Sequence, residues 1–183
     1  MIDDQIRELI EQGHGFAVIM AGSGSDDKPK QEGKPSHIEK IADSLEFHAI
    51  PYDVRVCSAH KQPDKLMEMI GEYNQFNQPL AIIAVAGGTD ALSGTVSYHS
   101  LHPVISCPPD VPNESCLTNP PGSSNAYIAR PENVGKFLSQ MFSSVHPGAR
   151  DLLNDRNYRK VESLQGDDIT IRQKYQRRLL KID

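Results

Sequence analysis

The segment Leu80-Ala-Ile-Ile-Ala-Val85 is apolar at every position and runs straight into Ala86-Gly-Gly-Thr-Asp90. A strand with apolar side chains on both faces has to be covered on both, which is the situation of a parallel strand between two layers of helices. The same unit recurs along the chain. Phe16 to Met20 leads into Ala21-Gly-Ser-Gly-Ser-Asp26, and Tyr52 to Cys57 leads into Ser58-Ala-His-Lys-Gln-Pro63. Two shorter runs follow, Pro103 to Cys107, closed by Pro108-Pro109, and Ala126 to Ala129. Between the strands, apolar residues fall at helical spacing: Ile38, Ile41 and Leu45 behind a Ser36 cap; Leu66, Met69, Ile70 and Tyr73; Val134, Phe137, Leu138 and Met141 from Pro131 to Phe142. Alternating strands and helices predict an α/β fold, a three-layer sandwich around a central parallel sheet with right-handed crossovers.

A chain of 183 residues carries one sizeable core and is short for two. Ile2, Ile6, Leu9 and Ile10 before Gly13 predict a short helix at the start. After His146-Pro-Gly148 the sequence turns highly charged, with Leu152, Leu153 and Tyr158 spaced for one helix and Ile171, Tyr175 and Leu179 for another. Residues 1–147 are therefore expected to form the domain and 148–183 a C-terminal helical arm without a core of its own. A formal net charge of -5 argues against a general nucleic-acid binder, whose affinity rests on clustered Lys and Arg. One small phosphate can still be held by a few backbone N–H groups and a lysine. No apolar stretch approaches the roughly 20 residues that span a bilayer, and Met1 to Gly13 lacks the apolar centre of a signal peptide. Cys57, Cys107 and Cys116 are odd in number and form no C-x-x-C pair, so reduced thiols in the cytoplasm are expected rather than a disulfide framework or zinc ribbon.

In open parallel sheets, ligands sit at the carboxyl ends of the strands, near the point where strand order reverses. The three loops there are the places to look for chemistry. Gly22-Ser-Gly-Ser-Asp26 combines close backbone approach with the Ser23 and Ser25 hydroxyls, donors suited to a phosphate, and with the Asp26 carboxylate, an acceptor suited to ribose hydroxyls. It lacks the third glycine of a dinucleotide fingerprint and the G-K-[ST] of a P-loop. Ser58-Ala-His-Lys61 sets an imidazole that can move protons near neutral pH beside an ammonium that can neutralise phosphate. In Gly87-Gly-Thr-Asp-Ala-Leu-Ser-Gly94, backbone amides can cradle a small group such as carbon dioxide, with Thr89 and Asp90 as further polar contacts. His99 and His102 have the spacing of a shared helix face but no third partner, so no metal site is expected. Cys57, immediately before a polar loop, reads as a core residue.

Taken together and in order, these loops resemble those of the aminoimidazole ribonucleotide (AIR) carboxylase family, whose members carry a G-S-x-S-D loop, an S-A-H-[RK]-x-P loop and an A-G-G-rich loop. The resemblance spans about Phe16 to Phe142. It implies a flavodoxin-like fold, and an enzyme of purine biosynthesis that works without ATP, metal or organic cofactor. It implies that Ser23, Ser25, Asp26, Ser58 and Lys61 hold the ribose phosphate, that His60 is the catalytic residue acting on the ring proton, and that Gly87, Gly88, Thr89 and Leu92 line the carbon dioxide side. It also implies a homo-octamer, or a tetramer, with sites between subunits.

The family has two branches, one a mutase that moves a carboxylate from nitrogen to carbon, the other a carboxylase that takes carbon dioxide directly. The mutase branch usually reads G-G-A-A-H-L-P-G-M and has Arg after S-A-H; here Lys61 follows His60, and Ala91 stands where that branch has a second His. Ala84-Val-Ala-Gly87 and Pro103-Val-Ile-Ser-Cys-Pro-Pro109 resemble the direct carboxylase, the type fused to a ligase in animals. The expected activity is therefore carboxylation of AIR by carbon dioxide. The alternatives are the mutase, a related pyridine-nucleotide carboxylase, and, from another class, a non-catalytic nucleotide-sensing module. Two departures from the family pattern, an insertion at Lys28 to Pro35 and a short stretch from Pro109 to Gly122, would shape the mouth of the pocket.

Overall fold

In a computed structural model that describes residues 2–29, 31–110 and 112–179, five parallel strands form one sheet in the order β2-β1-β3-β4-β5. They are β1 (Phe16–Ala21), β2 (Tyr52–Val56), β3 (Leu80–Val85), β4 (Val104–Ser106) and β5 (Asn125–Tyr127). The helices are α1 (Asp4–Glu11), α2 (His37–Phe47), α3 (Pro63–Tyr73), α4 (Ala91–His99), α5 (Val134–Met141) and α6 (Ala149–Leu179). This is the α/β sandwich that the alternating pattern predicts, in the flavodoxin-like form that the resemblance implies, with a helical C-terminal extension.

Strand alternation sends β1 and β3 side chains into two separate cores. Phe16, Val18, Met20, Ile82 and Ala84 pack with Ile10 of α1, Leu66, Ile70 and Tyr73 of α3, and Leu92 and Val96 of α4. Ala17, Ile19, Ile83 and Val85 pack on the other face with Ile41 and Leu45 of α2 and Val134 and Leu138 of α5. Every residue of β1 and β3 is buried. Each large aliphatic side chain so buried contributes on the order of 1.5–3 kcal/mol of transfer free energy, which is why the central strands are apolar without interruption.

Local signals agree with the packing. Ser36 caps α2 by accepting from the Glu39 N–H while Glu39 accepts from the Ser36 N–H, and Pro63 opens α3 at a position where no backbone donor is needed. Gly15, at φ +103°, turns the chain into β1 beneath the Phe142 ring, where a Cβ would lie 2.4 Å from a ring carbon. Ser44 ties α2 to the start of α5, donating to Glu132 O (2.8 Å) and accepting from the Gly135 N–H (3.0 Å).

The C-terminal arm differs from the expectation of two helices. Ala149 to Leu179 is one continuous helix, because Gly166 alone, at about 1 kcal/mol relative to Ala, does not break a helix flanked by Arg159–Asp155 and Arg172–Asp168 pairs one turn apart. Its first turns rest on the body through Ala149, and Lys136 of α5 donates to Asn157 Oδ1 (2.8 Å). Tyr158, Val161, Leu164 and Ile171 further along are exposed. Helix α4 has no apolar periodicity in Ala91-Leu-Ser-Gly-Thr-Val-Ser-Tyr-His99; it forms because Asp90 caps it and one face, Leu92 and Val96, meets the core. It ends at His99, so His99 and His102 do not share a helix face. His102 Nε2 bonds Tyr73 O instead (3.0 Å). No helix among the described residues is long and apolar enough to cross a membrane.

Candidate active site

Strand order reverses between β1 and β3, and the loops that leave their carboxyl ends, with the loop after β2, enclose a cavity of about 340 Å³. The sheet itself sets their relative positions. Beyond the last paired residues, the Gly22 N–H donates to Val85 O and the Cys57 N–H to Ala21 O, both at 2.9 Å. Gly22 is required by the close approach of two loops, since a Cβ there would lie 3.3 Å from Asp26 Oδ2 and 3.4 Å from the Ala86 Cβ.

The first loop turns through a short 3₁₀ segment, Gly24–Asp27, held by its own side chains. Asp26 accepts from the Ser23 N–H (2.7 Å), the Ser25 N–H donates to Ser23 Oγ (3.2 Å), and the two serine hydroxyls hydrogen-bond each other. Ser23, Ser25 and Asp26 all line the cavity. In the second loop, Gln62 N–H donates to Ser58 O (2.8 Å) and Lys61 N–H to Ser58 Oγ (3.3 Å), so Ser58 to Lys61 forms a turn that brings Ser58, His60 and Lys61 to the opposite wall. Cys57 is buried beneath this turn, where desolvation raises its thiol pKa; it is a core residue, as its place at the strand end suggests.

Gly87, Thr89 and Leu92 complete the lining, with Ala91 at the positive N-terminal end of α4. Two residues of this loop face elsewhere. Asp90 is buried and caps α4 through the Ser93 N–H (2.8 Å), so it is not a cavity contact. Gly88, at φ +68°, is outside the lining and turns its N–H to Asp110 Oδ2 (2.7 Å).

That turn is built by residues of the Pro109 to Gly122 stretch, which departs from the family pattern in length but carries no motif that marks individual residues. Asn113, 6% exposed, donates through Nδ2 to Gly88 O (3.0 Å) and Asp110 Oδ1 (2.9 Å), and accepts at Oδ1 from the Ser115 N–H (3.1 Å) and hydroxyl (2.7 Å). Ser115 Oγ in turn accepts from the Asp90 N–H (3.0 Å). Asp110, Asn113 and Ser115 thus clamp the Gly87–Asp90 backbone from outside. In sequence they are only a polar loop after Pro108-Pro109; nothing local announces their long-range partners.

Fold and cavity together define a flavodoxin-like α/β protein whose switch-point pocket combines hydroxyl donors, a lysine, a carboxylate and an imidazole. The family model described as AIR carboxylase matches residues 16–162. The chain is 30% identical over 161 residues to a phosphoribosylaminoimidazole carboxylase of Treponema denticola, covering 84% of this chain and 95% of that one. It is 32% identical over 149 residues to a phosphoribosylaminoimidazole carboxylase of Archaeoglobus fulgidus, covering 76% of each. A human bifunctional phosphoribosylaminoimidazole carboxylase/phosphoribosylaminoimidazole succinocarboxamide synthetase shares 34% identity over 131 residues, which is 68% of this chain and 29% of the human protein. The crystal structure of Treponema denticola PurE superposes with a TM-score of 0.74 at 30% identity, covering 85% of this chain and 98% of that one. The chain belongs to the AIR carboxylase family, enzymes of purine biosynthesis.

Proposed function

We propose that this chain carboxylates 5-aminoimidazole ribonucleotide directly with carbon dioxide, giving 4-carboxy-5-aminoimidazole ribonucleotide. The observation that carries the reading is the single cavity lined by the Gly22–Asp26, Ser58–Lys61 and Gly87–Leu92 loops. The two serine hydroxyls and Lys61 provide donors and charge for the ribose phosphate, and Asp26 an acceptor for a ribose hydroxyl. The Gly87–Thr89 backbone and the α4 N-terminus provide a positive niche for the carboxylate that develops on carbon dioxide.

An aminoimidazole is an enamine, so its ring carbon is nucleophilic and chiefly needs an oriented electrophile. A C–C bond forms from that carbon to carbon dioxide, and an electron pair of one C=O moves onto oxygen. The ring carbon then loses its proton, restoring aromaticity. His60 takes that proton; it lines the cavity beside Lys61. Direct use of carbon dioxide is favoured over the mutase route by Lys61 and Ala91, at the positions where the mutase branch has Arg and a second His. The working assembly is a cytoplasmic homo-octamer, or a tetramer, and a monomer by light scattering would count against it.

The test of the roles is His60→Asn. It is expected to bind the nucleotide within about threefold of the parent while losing turnover by ~10²-fold or more, the scale of general acid–base catalysis. Retained turnover would remove His60 from the mechanism.

A further inference from the structure

At the other edge of the sheet lies a cavity of about 410 Å³ that shares no lining residue with the candidate active site. Helix α2 runs back from the carboxyl ends of the strands, so its last residue Phe47 and the following His48 come to the amino edge, where α5 and the first turns of α6 close over them. Lys136, Arg156, Arg159 and Lys160 all line this space, against Glu132 as the acidic member. Glu132 already faces Lys40 at 4.0 Å, and the chain as a whole carries a net charge of -5. A positive concentration here therefore runs against the overall balance of the chain.

The cations are only partly matched. Arg159 pairs with Asp155 (2.9 Å), and Lys136 gives one of its donors to Asn157. Arg156 lies over the Phe47 ring at 3.8 Å from the centroid, and its Nη1 is shut off from solvent with no hydrogen-bond acceptor. A buried guanidinium nitrogen without an acceptor is costly, and an anion bound beside it removes that cost. The local field is visible in two neighbours. His48 is held below its ordinary pKa first by burial and further by the charges of Arg156 and Lys136, and Arg156 itself is lowered by burial and by Arg159.

We propose that this cavity is a second anion site, which takes the phosphate group of a small phosphorylated metabolite between Arg156, Lys136 and Lys160. A guanidinium held against an aromatic ring keeps a planar set of N–H donors, which suits the oxygens of a phosphate. The cavity exceeds the volume of a phosphate ion and leaves room for the organic part of an ester.

The site is tested by titrating inorganic pyrophosphate into the intact protein at low ionic strength, with binding heat as the readout. No turnover is involved, so the result is independent of the proposed carboxylation. Binding is expected in the parent and in Lys61→Met, which disables the phosphate side of the active-site cavity. It is expected to weaken about tenfold or more in Arg156→Gln and in Lys136→Met, the loss of one charge-assisted contact. Arg172→Gln removes a charge from the same helix outside the cavity, one that faces Asp168, and is expected to leave binding within about twofold. Circular dichroism establishes that each variant is folded, and the exposed Lys136 keeps the test open if Arg156→Gln is not. No binding by the parent, loss in Lys61→Met with retention in Arg156→Gln and Lys136→Met, or equal weakening in Arg172→Gln would each overturn the site.

Discussion

Replacing Asn113 with Ala removes the centre of the clamp on the Gly87–Asp90 loop without substituting any residue that lines the cavity. Four hydrogen bonds disappear, to Gly88 O, Asp110 Oδ1 and both donors of Ser115. At about 1 kcal/mol net for each, with water restoring some of them, the loss is ~2–3 kcal/mol. Most of it should appear as local loosening, since the clamp joins loops rather than core elements. With roughly 2–4 °C per kcal/mol for a chain of this size, the melting temperature should fall by ~4–12 °C if the loop unfolds with the domain, and by less if it opens alone. Gly88 holds a left-handed φ of +68° under that clamp, so its release disorders the niche assigned to carbon dioxide. Steady-state carboxylation should then show kcat/KM for bicarbonate-derived carbon dioxide down about tenfold or more, with nucleotide affinity changed by less than about threefold. Ser115→Ala, which releases the Asp90 N–H, should move both readouts in the same direction. An Asn113→Ala protein with an unchanged melting temperature and unchanged carbon dioxide kinetics would refute the positioning role of the clamp.

Further predictions concern the body of the fold and the phosphate side of the cavity. Gly135→Ala places a Cβ 2.0 Å from Ser44 O and should push α5 from α2 at a cost of about 3 kcal/mol, lowering the melting temperature by roughly 6–12 °C in calorimetry. Lys61→Met should raise KM for the nucleotide about tenfold or more while leaving the fold unchanged by circular dichroism. Burial, and secondarily the charge of Glu132, push the Cys107 thiol from 9.0 up to about 12. Because the folded value lies above the unfolded one, the stability tied to this proton is intact below about pH 9 and is lost as pH rises toward 12. Iodoacetamide at pH 8 should accordingly label Cys107 in urea and leave it unmodified in the native protein, as peptide mapping would show.

Much of this architecture was legible because each strand is marked twice, by an apolar run and by the polar loop that ends it. Leu80–Val85 is a strand with the bounds its composition suggests, and Phe16–Ala21 extends by one small residue that no side-chain pattern distinguishes from loop. The three motifs also foretold one cavity, since parallel strands send their following loops to the same edge. Helix α4 was hidden because its Ser, Thr and Gly residues carry no helical periodicity and its existence depends on the Asp90 cap and a narrow contact through Leu92 and Val96. The continuity of the arm is not legible because its apolar residues fall in two groups, Leu152 to Tyr158 and Ile171 to Leu179, with Gly166 between them, whereas intrahelical bonding continues through that glycine. The clamp could not be read, since Asn113 meets Gly88 across 25 residues and such pairings have no local signature.

The most direct test of the central claim is to mix the purified protein with aminoimidazole ribonucleotide and bicarbonate, omitting ATP and added metal, and to follow absorbance of the carboxylated product. Product formation at a rate proportional to enzyme is the predicted result. No product from these substrates, together with conversion of the N-carboxylated ribonucleotide, would contradict direct carboxylation and place the chain in the mutase branch.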